Sequence, residues 1–138
     1  MVKRNLEKII LTTTCLLWAG VSFGACQNTT CANGKGTVIE GEDHASCYCQ
    51  SKVAMNWWSA FAWCDTAGGR LVDINTDCDT VAGTTDCPNL PNTSNSWTRN
   101  TCHGKAAYFL NRGALGCSDT TSASFKTYHH YALCRGNY

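Results

Sequence analysis

The sequence is poor in charge. Of its 138 residues only 15% are Asp, Glu, Lys or Arg, and the formal net charge is +1. No basic stripe is present to track a phosphate backbone, and no acidic tail to stay solvated, so no nucleic-acid partner is expected. Long hydrophobic runs are also missing. The best one, residues 9–21, is diluted by three threonines and is too short to read as a membrane span. No glycine-rich phosphate loop and no C-x-x-C pair occur, which removes the usual nucleotide and structural zinc signatures. No repeat or linker divides the chain, whose length suits one domain.

Cysteine is abundant instead, with eleven in the chain. That density is typical of exported scaffolds whose small cores need covalent help. The N-terminus agrees. "MVKRNLEK" is basic, an apolar stretch follows, and "SFGA" offers small residues for cleavage after Gly24 or Ala25. Residues 1–25 are therefore expected to be a signal peptide, and the protein to be secreted, periplasmic or on the cell surface. Removing them takes Cys15 away and leaves ten cysteines, an even number that implies about five disulfides. A rival reading is lipid attachment at Cys26, because "FGAC" loosely resembles a lipoprotein signal.

The remainder divides into a Cys-rich N-terminal extension, 26–50, and a domain over 51–138. Strands are expected at 37–40 ("TVIE"), around "ASCYCQSK", at "RLVDI", at 105–111 ("KAAYFLN") and at 129–135 ("HHYALCR"). Residues 75–100 are rich in Thr, Asn, Asp and Pro and read as loop. A helix is expected over 57–67, with Asn56 as N-cap and Gly68-Gly69 as its stop. Trp57, Ala60, Phe61, Cys64 and Ala67 share one face, so Trp57 and Phe61 are expected in the core. Trp58 and Trp63 fall off that face and could cover a loop or touch a ligand.

These same residues carry a resemblance. The spacing Trp57, Ala60, Cys64, Gly68, Leu71 and Ile74 is similar to the helix-and-strand pattern of the C-type lectin-like domain. "YALCR" near the end resembles that family's last strand, and "NSWT" around Trp97 its tryptophan-bearing strand. The resemblance covers about residues 45–138. It implies an α+β fold of short antiparallel strands with one main helix and a long loop region. It also implies disulfides from Cys64 to Cys134 and from Cys102 to Cys117, leaving Cys78 with Cys87. Cys26, Cys31, Cys47 and Cys49 then have three possible connectivities. Direct pairing of Cys47 with Cys49 along an extended strand is not expected.

The family's calcium-dependent sugar site uses Glu-Pro-Asn or Gln-Pro-Asp together with Trp-Asn-Asp. Neither triplet is here, and "CPNLPN" supplies no carboxylate before its prolines. Calcium-independent binding is expected, with no cofactor and no metal. "DINTDCD" places Asp73, Asn75, Asp77 and Asp79 at alternate positions. Cys78 and Thr84 stand where a helix-loop-helix calcium loop needs Gly and Glu, so a polar strand exit is the simpler reading, with a weak calcium site as the alternative.

Catalysis has little support. A thiol nucleophile beside His103 or His129-His130 needs a free cysteine, which an oxidising compartment removes. No enzyme is expected. The function expected is a binding module for a protein or glycan ligand on a cell surface, as bacterial adhesins of this fold imply. Trp97, Arg99, His103, Tyr108 and Arg112 are the candidate contacts, because aromatic and cationic groups together suit such ligands. The alternative is a structural subunit of an envelope or appendage.

Overall fold

A computed structural model describes residues 26–79, 84–117 and 125–138. The expected signal peptide, with Cys15, lies outside the described residues. The elements in chain order are β1 (Thr30–Cys31), β2 (Gly36–Glu40), β3 (Cys47–Ser51), α1 (Trp57–Thr66), β4 (Arg70–Leu71), α2 (Ile74–Asp77), β5 (Ser96–His103), β6 (Ala106–Asn111), β7 (Ala114–Cys117) and β8 (Tyr131–Arg135). Two 3-10 turns, Ala32–Gly34 and Phe125–Thr127, complete the set.

The strands form one sheet in the order β1-β2-β3-β8-β5-β6-β7, with β4 also on β8. Pairing is antiparallel except where β5 runs parallel to β8, Ser96 opposite Tyr131 and Trp97 opposite Ala132. One main helix on a mostly antiparallel sheet makes the fold α+β. The border drawn at residue 50 falls inside β3, which pairs with both β2 and β8, so the N-terminal extension is continuous with the sheet.

Strand alternation gives the sheet two apolar faces. On β8, Ala132 and Cys134 face α1 while Leu133 faces the other way, and all three are fully buried. On β3, Cys47 and Cys49 point to the helix side and Tyr48 to the opposite side. The helix-side core gathers Ala60, Cys64, Leu71, Trp97 and Ala107 around those cysteines. The opposite core holds Val72, Leu110 and Leu133, closed over by Cys87 and Leu90 from the segment before β5.

Five disulfides join Cys26 to Cys47, Cys31 to Cys49, Cys64 to Cys134, Cys78 to Cys87, and Cys102 to Cys117. Cys26 spends its sulfur on Cys47, which leaves none for the lipid attachment weighed above.

Helix α1 starts where Asn56 caps it, its side chain accepting from the Ser59 N–H at 2.9 Å. It stops one residue short of expectation, and Gly68 beyond it takes the left-handed conformation (φ 78°). Trp57 and Phe61, expected in the core, are only half-buried and pack against its edge. The reason is space: the helix sits so close to β8 that only Ala60 and Cys64 fit between them. The "RLVDI" strand is shorter than expected. Asp73 accepts from the Asn75 N–H at 3.0 Å and so caps α2, ending the extended run. The supposed loop 75–100 yields its last five residues to β5, and β7 is an addition.

Candidate binding surface

Trp97 was expected to face solvent. It is fully buried instead, and is the largest such side chain. Its indole N–H donates to the Met55 carbonyl at 2.8 Å, fixing β5 to the residue that leads into α1. Met55 and His130 exchange two backbone hydrogen bonds, at 2.8 and 3.1 Å, which close the same junction. Trp97 is therefore removed from the list of ligand contacts.

The other four candidates are spread along β5 to β7. Arg99 is exposed, with its Nε 3.7 Å from the Asp73 carboxylate. Tyr108 is half-buried on β6, its carbonyl accepting from the Thr98 hydroxyl at 2.9 Å. His103 ends β5, opposite Ala106 at the start of β6. Arg112 sits in the turn after the other end of β6, in a left-handed conformation (φ 52°). A six-residue strand spans roughly 17–20 Å, so His103 and Arg112 belong to opposite ends of the sheet. The five residues do not form one patch.

The side chains that do converge lie at the start of α1. Residues four apart on a helix are neighbours, and the Trp57 and Phe61 rings meet edge-on, centroids 4.7 Å apart. Trp58 meets Trp57 in a similar edge contact at 6.0 Å and is 54% exposed. Trp57 donates its indole N–H to the Thr98 carbonyl at 2.8 Å, which holds the cluster on β5. The Lys126 ammonium stands 4.4 Å above the Trp57 ring and also donates to the Gly104 carbonyl at 3.1 Å. The start of α1, the Phe125–Thr127 turn and the β5–β6 hairpin tip are thereby brought together. His103 adjoins that tip, and Tyr128, 46% exposed, follows the turn.

Sequence reasoning had set Trp58 apart by its position off the buried face. It missed Lys126, which lies in no periodic pattern, and nothing in its neighbours marks it. The aromatic rings supply flat apolar area at small entropic cost, and the lysine adds a cation partly desolvated by an indole. Such a surface is chemically suited to stacking and charge contacts.

The acidic stretch after β4 is engaged internally. Arg70 grips the buried Asp77 carboxylate with two nitrogens, at 2.5 and 2.6 Å. Asp73 accepts from Asn100 Nδ2 at 2.9 Å as well as from Asn75. Burial opposes ionisation of Asp73, but those hydrogen bonds and the nearby Arg99 outweigh it and hold the carboxyl below its ordinary value. A cation here would have to displace Arg70. Cys102, His103 and Cys117 also lie close, their donor atoms within 4.8 Å of one another. The two sulfurs are bonded to each other and offer no thiolate, so the trio is not a metal site in the disulfide form.

Comparison with known proteins adds no neighbour: no family model, no curated protein and no solved structure matches the chain. No helix among the described residues is long and apolar enough to cross a membrane.

Proposed function

We propose that this is an exported, disulfide-braced binding module with a C-type-lectin-like fold, which recognises a protein or glycan ligand at the surface of Trp57, Trp58, Phe61 and Lys126. The carrying observation is Trp58, more than half exposed beside a Trp57 ring that is covered by a cation. A large exposed aromatic on a rigid helix is the kind of group that anchors recognition. The helix is held by the Cys64–Cys134 bridge and the Trp57–Thr98 hydrogen bond, so the surface is set before the ligand arrives. Binding is calcium-independent in this reading, since the Asp73 and Asp77 carboxylates are occupied by side chains of the protein. The five disulfides suit an oxidising compartment outside the cytosol.

The test is a glycan array and a pull-down from surface proteins, each run with the wild-type chain and Trp58→Ala, with and without EDTA. Binding that disappears in Trp58→Ala and persists in EDTA supports the reading. No ligand in either screen would favour the structural-subunit alternative.

A further inference from the structure

The opposite flank of α1 carries a different feature. Trp63 emerges roughly 120° round the helix from Trp57, beyond the buried Ala60 and Cys64. It packs on Gly36: a Cβ there would lie 2.9 Å from its ring and 2.6 Å from the Cys31 sulfur. The indole thus rests against backbone beside the Cys31–Cys49 disulfide. It also lines a cavity of about 360 Å³ between α1 and the Ala32–Gly34 turn, together with Met55, Ser59, Asn33 and Lys35. Pockets for small ligands begin near this size.

The cavity opens to solvent, and its outer wall is held in place. That wall is a turn with three successive left-handed residues, Ala32 (φ 50°), Asn33 (φ 53°) and Gly34 (φ 82°). Two of them are not glycine, a conformation that costs free energy and persists only when the surroundings enforce it. Lys52 enforces it here, donating from Nζ to the Gly34 carbonyl at 2.9 Å and from its backbone to the Lys35 carbonyl at 3.1 Å. Asn33, Ser59 and Lys35 are exposed, so their amide, hydroxyl and ammonium, which have no protein partner among the described residues, are free to meet a ligand from solvent. Lys35 is the one charged side chain on the lining.

We propose that this cavity binds one acidic sugar unit, a hexuronate within a glycan. The C–H face of the pyranose lies on Trp63, its hydroxyls reach Asn33 and Ser59, and its carboxylate pairs with Lys35. A small aliphatic carboxylate would use Lys35 but would leave the flat indole without a complementary face. A pyranose supplies a flat apolar face and a ring of hydroxyls together. This site shares no residue with the Trp57 surface and does not depend on the fold assignment above.

The experiment is titration of the intact exported protein with glucuronate, glucose and N-acetylglutamate, followed by the indole N–H signals in NMR, with Trp63→Phe to assign them. Glucuronate is expected to move the Trp63 signal and to bind more tightly than both controls. Lys35→Gln should weaken glucuronate roughly tenfold, the loss of one charge-assisted hydrogen bond. Asn33→Gly should also weaken it while keeping the left-handed turn, and both variants should melt like the wild type. A stationary Trp63 signal, equal binding of glucose or N-acetylglutamate, or unchanged affinity in Lys35→Gln would each overturn the proposal.

Discussion

The two faces of the sheet solve the same problem differently. The helix side is filled mainly by small residues and half-cystines, with Trp97 its largest fully buried side chain and Leu71 and Tyr138 beside it. The opposite side is filled by Val72, Leu90, Leu110 and Leu133 with Tyr48, as an ordinary aliphatic core is. Three disulfides border the first face, whereas only Cys78–Cys87 has a sulfur in the second. On α1 itself only Ala60 and Cys64 are buried, so the helix contributes small side chains to this face and the Cys64–Cys134 bridge ties it to β8. Where an irregular segment covers the sheet, leucines fit and fewer bridges are needed.

The sharpest way to break this contrast is Trp97→Ala. It removes the largest fully buried side chain from the helix-side face and leaves the Met55 carbonyl without its indole donor. The loss should be about 3–5 kcal/mol, read as a lowered urea midpoint. Next is the pair Cys64→Ala with Cys134→Ala. The bridge closes a separation of 70 residues, and chain entropy puts its removal at about 4 kcal/mol. The matching pair Cys78→Ala with Cys87→Ala opens a separation of only 9 and should cost about 2.5 kcal/mol. Equal midpoint shifts for the two pairs would show that the faces do not differ in their reliance on disulfides.

A smaller effect is expected from acid. His130 lies between Trp97 and Phe109, ring centroids 4.4 and 4.8 Å away, and its buried Nε2 has no partner. Burial, with His129 adding repulsion, holds it below its ordinary value of 6.5. The unfolded chain then takes up the proton first as pH falls. This contribution is fully present above 6.5 and declines from there toward the lower folded value. Melting temperature should drop as pH falls below the ordinary value of 6.5, and His130→Phe should flatten that slope. Asp43 and Asp73, both held below 3.8, add their loss only at stronger acidity. The smallest stability change belongs to Trp58→Ala: within about 0.5 kcal/mol, because the ring is mostly in solvent, although binding should fall.

What the sequence disclosed follows from how local each signal is. The helix was legible because its cap, its stop and its apolar spacing lie within about fifteen residues. Strands β2, β3, β6 and β8 were legible from β-branched and aromatic runs. The depth of each residue was not. Trp97 is core because β5 lies inside the sheet beside β8, opposite Ala132, whereas Trp57 sits on the flank of α1 at the edge of that core, and neither placement is written in the residues around them. The candidate contacts failed as a group for a related reason. Once β5 and β6 pair, His103 lies at the hairpin tip while Trp97, opposite Phe109, and Arg112 lie at the other end, so nearness in sequence does not make one patch. Lys126 reaches Trp57 only through the chain reversal before β8, a contact that no window of sequence contains.

The position of β8 dictates an order of assembly as the chain is made. It lies between β3 and β5 and also carries β4, yet it follows every other strand in the chain. Four of the five bridges span 21 residues or fewer and can oxidise soon after their second cysteine emerges. Cys64 must wait as a thiol until Cys134 arrives, 70 residues later, and the sheet stays divided into two halves until then. Biogenesis thus ends in one slow, long-range closure, during which a single unpaired thiol and the unpaired edges of β3 and β5 are open to wrong partners. An oxidant acting too early on Cys64, or a chaperone shielding those edges, would govern the yield of the protein more than any property of its finished fold.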